Sequence, residues 1–403
     1  MVKMKVVIIG DGVAGQIAVE KLLKSQDKTE IVMITKEEYP YYSRIYLPHY
    51  IEGTKTKEQL LLRNFDWYNE HDIQMMVKTE IEKIDLKEHL VRIKDSSFTI
   101  KYDKLILTTG SSPRKLPFGN PDVKGMFTLR TIADADDILN FMKERNAKNV
   151  FIIGGGLLGI ELGFHIKQTD QNNLNVRICE IFPYLLPRQL DEKTSDLLKK
   201  YLEDKGLEFV LGESVDKVTG DEYVDGIVLK SGKKFSTDVV LQQLGIIPNI
   251  QVAKNSGLKT DKGIIVNEFM QTSDPDVYAA GDCIQFENQI WGIIPASMDQ
   301  AKLAAAHILG ENPDPYAPSI WNTRLKVAGL DLTCLGTPKP QHEGEANVIW
   351  NVNEKSYLCR KVIIEGNKLT GAILMGKGAD TNYFKKNIGK KVELDEVKKK
   401  IDE

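Results

Sequence analysis

Twice along the chain an apolar run ends in G-x-G-x-x-G and continues as an apolar-periodic helix. The first copy, Lys5–Val19, reads KVVIIGDGVAGQIAV. The second, Asn149–Phe164, reads NVFIIGGGLLGIELGF. Their leading glycines, Gly10 and Gly154, stand 144 residues apart. That spacing is too long for a solenoid repeat and suits two separate nucleotide-binding domains.

Each glycine has a mechanical reading. Gly10 and Gly154 permit a tight strand-to-helix turn. Gly12 and Gly156 let the backbone approach a pyrophosphate, and Gly15 and Gly159 let helix and strand pack closely. The helix starts, Val13-Ala14 and Leu157-Leu158, then point unpaired amides and the positive end of the helix dipole at the phosphates. One such motif is weak evidence. Two copies with matching flanks predict two dinucleotide sites.

A carboxylate about 20 residues on, at the end of the next strand, would accept ribose hydroxyls and repel a 2′-phosphate. In the second copy Val176–Glu180 reads VRICE, and Glu180 stands 21 residues after Gly159. This predicts NADH over NADPH. In the first copy the strand Ile31–Ile34 is followed by Thr35, Lys36 and Glu37, so the acid is displaced. Glu37 reads either as a ribose contact or as a solvated loop charge.

The 403 residues carry 54 basic and 57 acidic side chains, a net charge of −3. That argues against nucleic-acid binding by charge alone. No apolar run approaches the roughly 20 residues that span a bilayer, and the N-terminus lacks a signal-peptide core. The expectation is a cytoplasmic protein with no membrane or nucleic-acid partner. Cys179, Cys283, Cys334 and Cys359 show no CxxC or zinc-type spacing and read as small buried hydrophobes. His49, His71, His89, His165, His307 and His342 are scattered and read as structural. No metal site and no Ser/His/Asp constellation is expected.

Two more segments take comparable places, LILTTGSSP (Leu105–Pro113) and VVLQQLGIIPN (Val239–Asn249). A third, DVYAAGDC (Asp276–Cys283), puts Gly281 and Asp282 after a short strand. With VVIIGDGVAG, YYSRIYLPHYI (Tyr41–Ile51), TLRTIADAD (Thr128–Asp136) and LLPRQLD (Leu185–Asp191), these segments resemble the flavoprotein reductases with two dinucleotide-binding domains. The branch they resemble holds the NADH:rubredoxin oxidoreductases and the flavin region of assimilatory nitrite reductases.

The resemblance implies an α/β fold of two Rossmann-like, glutathione-reductase-like domains plus a small C-terminal α+β domain. It implies FAD on the first motif and NADH on the second. The FAD domain would comprise 1–115 and 245–318, the NADH domain 116–244, and the last domain 319–403. By the same resemblance Thr109, Gly110, Gly245 and Ile294 belong to the FAD site, and Arg44 lies near the flavin, with a surface loop arginine as its other reading. Gly281 and Asp282 serve its ribityl and phosphate region, and the backbone at Lys78 meets the adenine. Arg130 would lie by the flavin domain, with helix capping as its other reading. Glu161 would lie near the flavin–nicotinamide contact, and Lys326 would approach the flavin edge or stand as an exposed strand lysine. Trp291 would shield the ring, face a partner, or be an ordinary half-buried aromatic.

Disulfide reductases of this kind carry a redox cysteine after the second strand. YYSRIYLPHYIEG has none, which excludes thiol-based chemistry of the glutathione reductase, coenzyme A disulfide reductase and NADH peroxidase types. No protein side chain is then required as a catalytic group. The expected function is hydride uptake from NADH and single-electron delivery to a small carrier such as rubredoxin or a ferredoxin-like protein. The alternatives are an NADH oxidase or quinone or dye reductase, and a flavin- and NADH-binding sensor or subunit of a larger complex. The chain would be a monomer or homodimer.

From about Ser319 short strands follow: Arg324–Leu330, Ala346–Val352, Tyr357–Ile364 and Leu369–Met375, then a lysine-rich helical tail from Thr381. The tail reads as a solvated face or as a basic surface that steers an acidic carrier.

Overall fold

The structure is a computed structural model that describes residues 3–25, 29–119, 122–169, 174–318, 322–327, 329–340, 344, 346–378 and 380–402, with Asn322–Val327 described as backbone only. It divides into two contact units. One comprises Met1–Arg44, Thr56–Pro113 and Gly245–Ser319; the other comprises Ile45–Lys55, Arg114–Leu244 and Ile320–Glu403.

The first unit is built on a five-stranded parallel sheet in the order Val277–Ala279, Lys104–Leu107, Lys5–Ile9, Glu30–Ile34 and Ile73–Met76. Val6, Val7, Ile8 and Ile9 are all buried, as expected of a central parallel strand covered on both faces. Helix Val13–Leu22 packs against helix Ile294–Ile308. A meander of Ile81–Asp85, Leu90–Ile93 and Thr99–Lys101 precedes the strand Lys104–Leu107.

The second unit repeats the plan. Its parallel sheet runs Leu207–Leu211, Asn175–Glu180, Asn149–Ile153, Val239–Gln242 and Met126–Phe127. A meander of Val215–Thr219, Gly226–Leu229 and Lys234–Ser236 precedes Val239–Gln242. The repeat therefore extends well beyond the glycine motifs. It differs at the fifth strand, which comes late in the chain in the first unit and early in the second.

The chain leaves the first unit through Ser111–Pro113 and returns through Ile246–Pro248, and these two segments pair antiparallel. One segment departs from the expected division. Ile45–Lys55 belongs by contact with the second unit, where helix Leu47–Glu52 packs on helices Leu157–Lys167 and Ile132–Glu144. Leu47 and Ile51 are buried there, and that burial holds the segment in place.

The C-terminal residues form an antiparallel sheet ordered Asn322–Val327, Leu330–Gly336, Lys368–Met375, Leu358–Glu365 and Asn347–Asn353. It groups with the second unit. The run expected as one strand, Arg324–Leu330, reverses at Gly329, whose φ is +82°. The tail expected to be helical from Thr381 forms two helices, Thr381–Asn387 and Leu394–Asp402, with Gly389 between them at φ +81°. Phe384, Val397 and Ile401 bury their side chains with Val362, Leu369 and Leu374 of the sheet.

Candidate functional site

Both glycine loops have the sterics that a dinucleotide cradle needs. Gly10 takes φ +119°, and a Cβ there would stand 2.1 Å from the Thr108 carbonyl oxygen. A Cβ on Gly15 would stand 2.1 Å from the Gly10 carbonyl oxygen. A Cβ on Gly12, by contrast, would meet no described atom within 4 Å. The second loop repeats this: Gly154 has φ +115° with Gln243 O at 2.3 Å, Gly159 has Gly154 O at 2.0 Å, and Gly156 faces open room among the described residues. In each loop two glycines close the turn and the third leaves space at the helix start.

Helix Val13–Leu22 starts from Gly12 and helix Leu157–Lys167 from Gly156. Among the described residues no side chain caps either one. The first-turn amides of Val13, Ala14 and Gly15, and of Leu157, Leu158 and Gly159, have no intrahelical acceptor by helix geometry. An open cradle of amides at a positive helix end fits a bound phosphate.

At the second loop Glu180 is buried at the end of its strand. Its Oε2 accepts from the Gly155 amide at 2.7 Å and its Oε1 from the Phe182 amide at 3.1 Å. The acid thus sits against the glycine loop with lone pairs left for hydroxyl donors.

At the first loop the displaced acid, Glu37, is held by two partners. Arg44 Nη2 donates to its Oε1 at 2.6 Å, and the Tyr42 hydroxyl donates to its Oε2 at 2.5 Å. Arg44 Nη1 also donates to the Tyr42 oxygen at 2.7 Å. Glu37 and Arg44, two residues singled out separately in the sequence, therefore form one ion pair. Lys36 is exposed. Lys78 has φ +50°, its amide donates to the Glu37 carbonyl at 3.0 Å, and its ammonium pairs with Glu38 at 2.8 Å.

Gly281, with φ +88°, is brought beside the first helix: a Cβ there would lie 3.1 Å from the Ala14 Cβ. Its amide donates to Gln300 Oε1 at 2.9 Å, and Asp282 accepts from the Ser111 hydroxyl at 2.8 Å. Thr109 Oγ1 donates to Asn249 O at 2.7 Å, and Asn249 Nδ2 returns a bond to Thr109 O at 2.8 Å. Gly110 and Gly245 both take positive φ, +63° and +87°. Ile294 is 40% exposed and Leu158 54% exposed.

The Arg130 amide donates to Asp134 at 2.9 Å beside the capping box that Thr131 and Asp134 form at helix Ile132–Glu144. Glu161 and Trp291 are half-buried. Lys326 falls on a strand whose side chains lie outside the described ones. In the tail, Lys400 pairs with Asp380 at 3.4 Å and Lys398 with Asp395 at 3.6 Å, while Lys386, Lys390 and Lys391 are exposed.

The sequence reading missed a polar cluster at the first loop. Gln16 Nε2 donates to Asp11 Oδ1 at 2.6 Å, and the Tyr68 hydroxyl donates to Asp11 Oδ2 at 2.8 Å. Burial pushes the Asp11 carboxyl up to about 6, against the pull of those two hydrogen bonds. An aspartate between two motif glycines was the signal. It also missed a meeting of histidines: His49, Glu52 and His165 offer ligand atoms all within 4.8 Å of one another, where no metal-ligand spacing was visible. Two helices far apart in the chain supply them.

All four cysteines are free and buried. Burial pushes Cys179 and Cys334 up to about 12 and Cys283 up to about 11, and it raises Cys359 as well. None carries thiolate character at neutral pH.

Residues 4–307 match the pyridine nucleotide-disulphide oxidoreductase family, and the chain belongs to it. The family and its rubredoxin reductase members are FAD-containing and NADH-dependent. Residues 322–392 match the rubredoxin NAD+ reductase C-terminal domain. The chain is 33% identical over 400 residues to a nitrite reductase [NAD(P)H] of Bacillus subtilis, covering 99% of this chain and 49% of that protein. It is 33% identical over 341 residues to an NADH oxidase of Methanocaldococcus jannaschii, covering 82% of this chain and 75% of the relative. The crystal structure of NADH:rubredoxin oxidoreductase from Clostridium acetobutylicum superposes with a TM-score of 0.75 at 28% identity, covering 100% of this chain and 95% of that one. The chain thus spans about half the length of the first of these relatives.

Proposed function

We propose that the chain oxidises NADH with bound FAD and passes the electrons one at a time to a small carrier protein such as rubredoxin or a ferredoxin-like protein. One observation carries this reading. Two glycine loops with open, uncapped helix starts stand in a chain whose four cysteines are all free and buried, which favours direct delivery to an acceptor over a cysteine relay. The flavin, when bound, supplies the conversion of a two-electron hydride into two single-electron steps.

The protein's own residues bind and orient. In this reading the first-turn amides from Val13 to Gly15 hold the FAD pyrophosphate, with Gly281 and Asp282 beside them and Glu37, paired with Arg44, at the ribose. The Leu157–Gly159 amides hold the NADH pyrophosphate, and Glu180 accepts the ribose hydroxyls. No protein group has to move a proton for the hydride step, and none of the cluster residues is assigned one. The match of the C-terminal residues to the rubredoxin reductase C-terminal domain favours a protein acceptor. The exposed lysines Lys386, Lys390 and Lys391 would steer an acidic one.

The test is anaerobic turnover of the purified protein with NADH or NADPH against rubredoxin, ferredoxin, quinone and oxygen. The reading predicts NADH-dependent reduction of a one-electron carrier protein faster than of oxygen. Reoxidation by oxygen that outruns every carrier would replace it with the NADH oxidase reading, which the Methanocaldococcus relative favours.

A further inference from the structure

We propose that His49, Glu52 and His165 form a binding site for a divalent transition metal of the zinc type. Their ligand atoms all lie within 4.8 Å of one another. His165 Nδ1 is 2.7 Å from Glu52 Oε2, and His49 Nδ1 is 3.7 Å from the same oxygen. A tetrahedral zinc with bonds of about 2.0–2.1 Å needs ligand atoms about 3.3 Å apart. Of the three pairs, His165–Glu52 must open by about half an ångström, His49–Glu52 must close by a similar amount, and His49–His165 must come to the same spacing from within 4.8 Å. Rotation of the two imidazoles, whose centroids are 4.1 Å apart, is the movement that serves all three.

The placement is built rather than accidental. His49 and Glu52 are three residues apart on helix Leu47–Glu52 and so share a face. His165 comes from helix Leu157–Lys167, which packs against it. The side chains of His165 and Glu52 are 8% and 17% exposed, whereas His49 is 38% exposed. The site therefore has an inner wall and one open side, where water can complete the coordination. Thr54 Oγ1 donates to Glu52 Oε2 at 3.1 Å, the outer hydrogen bond that orients a ligating carboxylate.

Two imidazoles and one carboxylate suit zinc and its neighbours, not magnesium or calcium, which prefer all-oxygen sets. A bound ion would staple Ile45–Lys55 to the helix whose first turn forms the second glycine cradle. This inference stands apart from the redox reading, because it requires neither flavin nor NADH.

The experiment uses full-length protein as purified and stripped with a chelator. Zn2+ is titrated by competition with a chromophoric chelator, and Co2+ by its visible d–d absorption. One Zn2+ per chain is expected, with a rise in melting temperature and a Co2+ band typical of four- or five-coordination. His49→Ala and Glu52→Gln, both at partly exposed positions, should weaken binding by more than the roughly 10–100-fold that loss of an outer partner costs. His165→Ala should abolish it. Should His165→Ala not fold, the other two variants decide. The proposal is overturned if the wild type shows no saturable site, or if His49→Ala and Glu52→Gln bind Zn2+ as tightly as the wild type does.

Discussion

The Gly155 amide donates to Oε2 of Glu180 at 2.7 Å, so the acid that ends the second strand also ties down the middle of its glycine loop. Glu180→Ala should reduce the preference for NADH over NADPH by roughly 10-fold, the worth of a lost pair of ribose hydrogen bonds. It should also cost about 1–3 kcal/mol of stability, because the Gly155 amide is left without its acceptor. Glu180→Gln keeps an acceptor for Gly155 and should retain most of the stability while still losing donor preference. The ratio of kcat/KM for the two donors, with melting temperatures alongside, separates the two roles. A ratio unchanged in Glu180→Ala would contradict the assignment.

Gly156 and Gly159 make a sharper pair. Gly156 has φ −78°, which any residue adopts, and a Cβ there meets no described atom within 4 Å. Gly156→Ala should therefore fold with a stability change within about 1 kcal/mol, yet bind NADH more weakly because the methyl enters the phosphate space. Gly159→Ala drives a Cβ to 2.0 Å from the Gly154 carbonyl oxygen and should destabilise by about 1–3 kcal/mol or more. Calorimetric titration with NADH on the folded Gly156→Ala protein is the check. Wild-type affinity there would mean that the open room is not the phosphate site.

The legible and illegible parts of this protein divide by how far the signal travels along the chain. Val6–Ile9 and Val150–Ile153 are continuous apolar runs ended by glycine, so strand, turn and helix start are all written locally. Glu180 is legible because its place is fixed by a count from Gly159. The Asp11 cluster is not legible, because Tyr68 joins it from another helix and nothing local at Tyr68 names its partner. Leu47 and Ile51 announce that their helix buries one face, but not which unit buries it. The same gap hid the meeting of His49 with His165. Arg324–Leu330 failed for a smaller reason: Gly329 was read as a strand residue, where its positive φ makes a hairpin.

Protonated, buried thiols give a chemical prediction. With Cys179, Cys283 and Cys334 pushed up to about 11 or 12, alkylation at pH 7–8 should be slow in the native protein and fast once urea is added. Turnover should survive prolonged treatment with a thiol reagent under native conditions. Rapid inactivation that tracks modification of one cysteine would reinstate a thiol in the electron path. Mass spectrometry of the alkylated protein identifies the site in either case.

Asp11 should leave a signature in the pH dependence of stability. Its folded value of about 6 lies above the ordinary 3.8, because burial disfavours the charged form. Between those two values the folded state holds a proton that the unfolded chain has given up. Stability contributed by this group is therefore full below about pH 4, falls as pH rises through about 6, and is absent above. The rise from 3.8 to about 6 caps the effect at about 3 kcal/mol. Asp11→Asn removes the titration. Its side-chain oxygen can still accept from the Tyr68 hydroxyl, and a flip of the Gln16 amide lets Gln16 Oε1 accept from the new nitrogen. Urea midpoints measured for both proteins from pH 4 to pH 8 should diverge, with the variant gaining on the wild type as pH rises through 6. Other carboxylates titrate in both proteins and cancel in that difference. Parallel curves would mean that Asp11 is already ionised at pH 5, so that the hydrogen bonds from Gln16 and Tyr68 outweigh its burial.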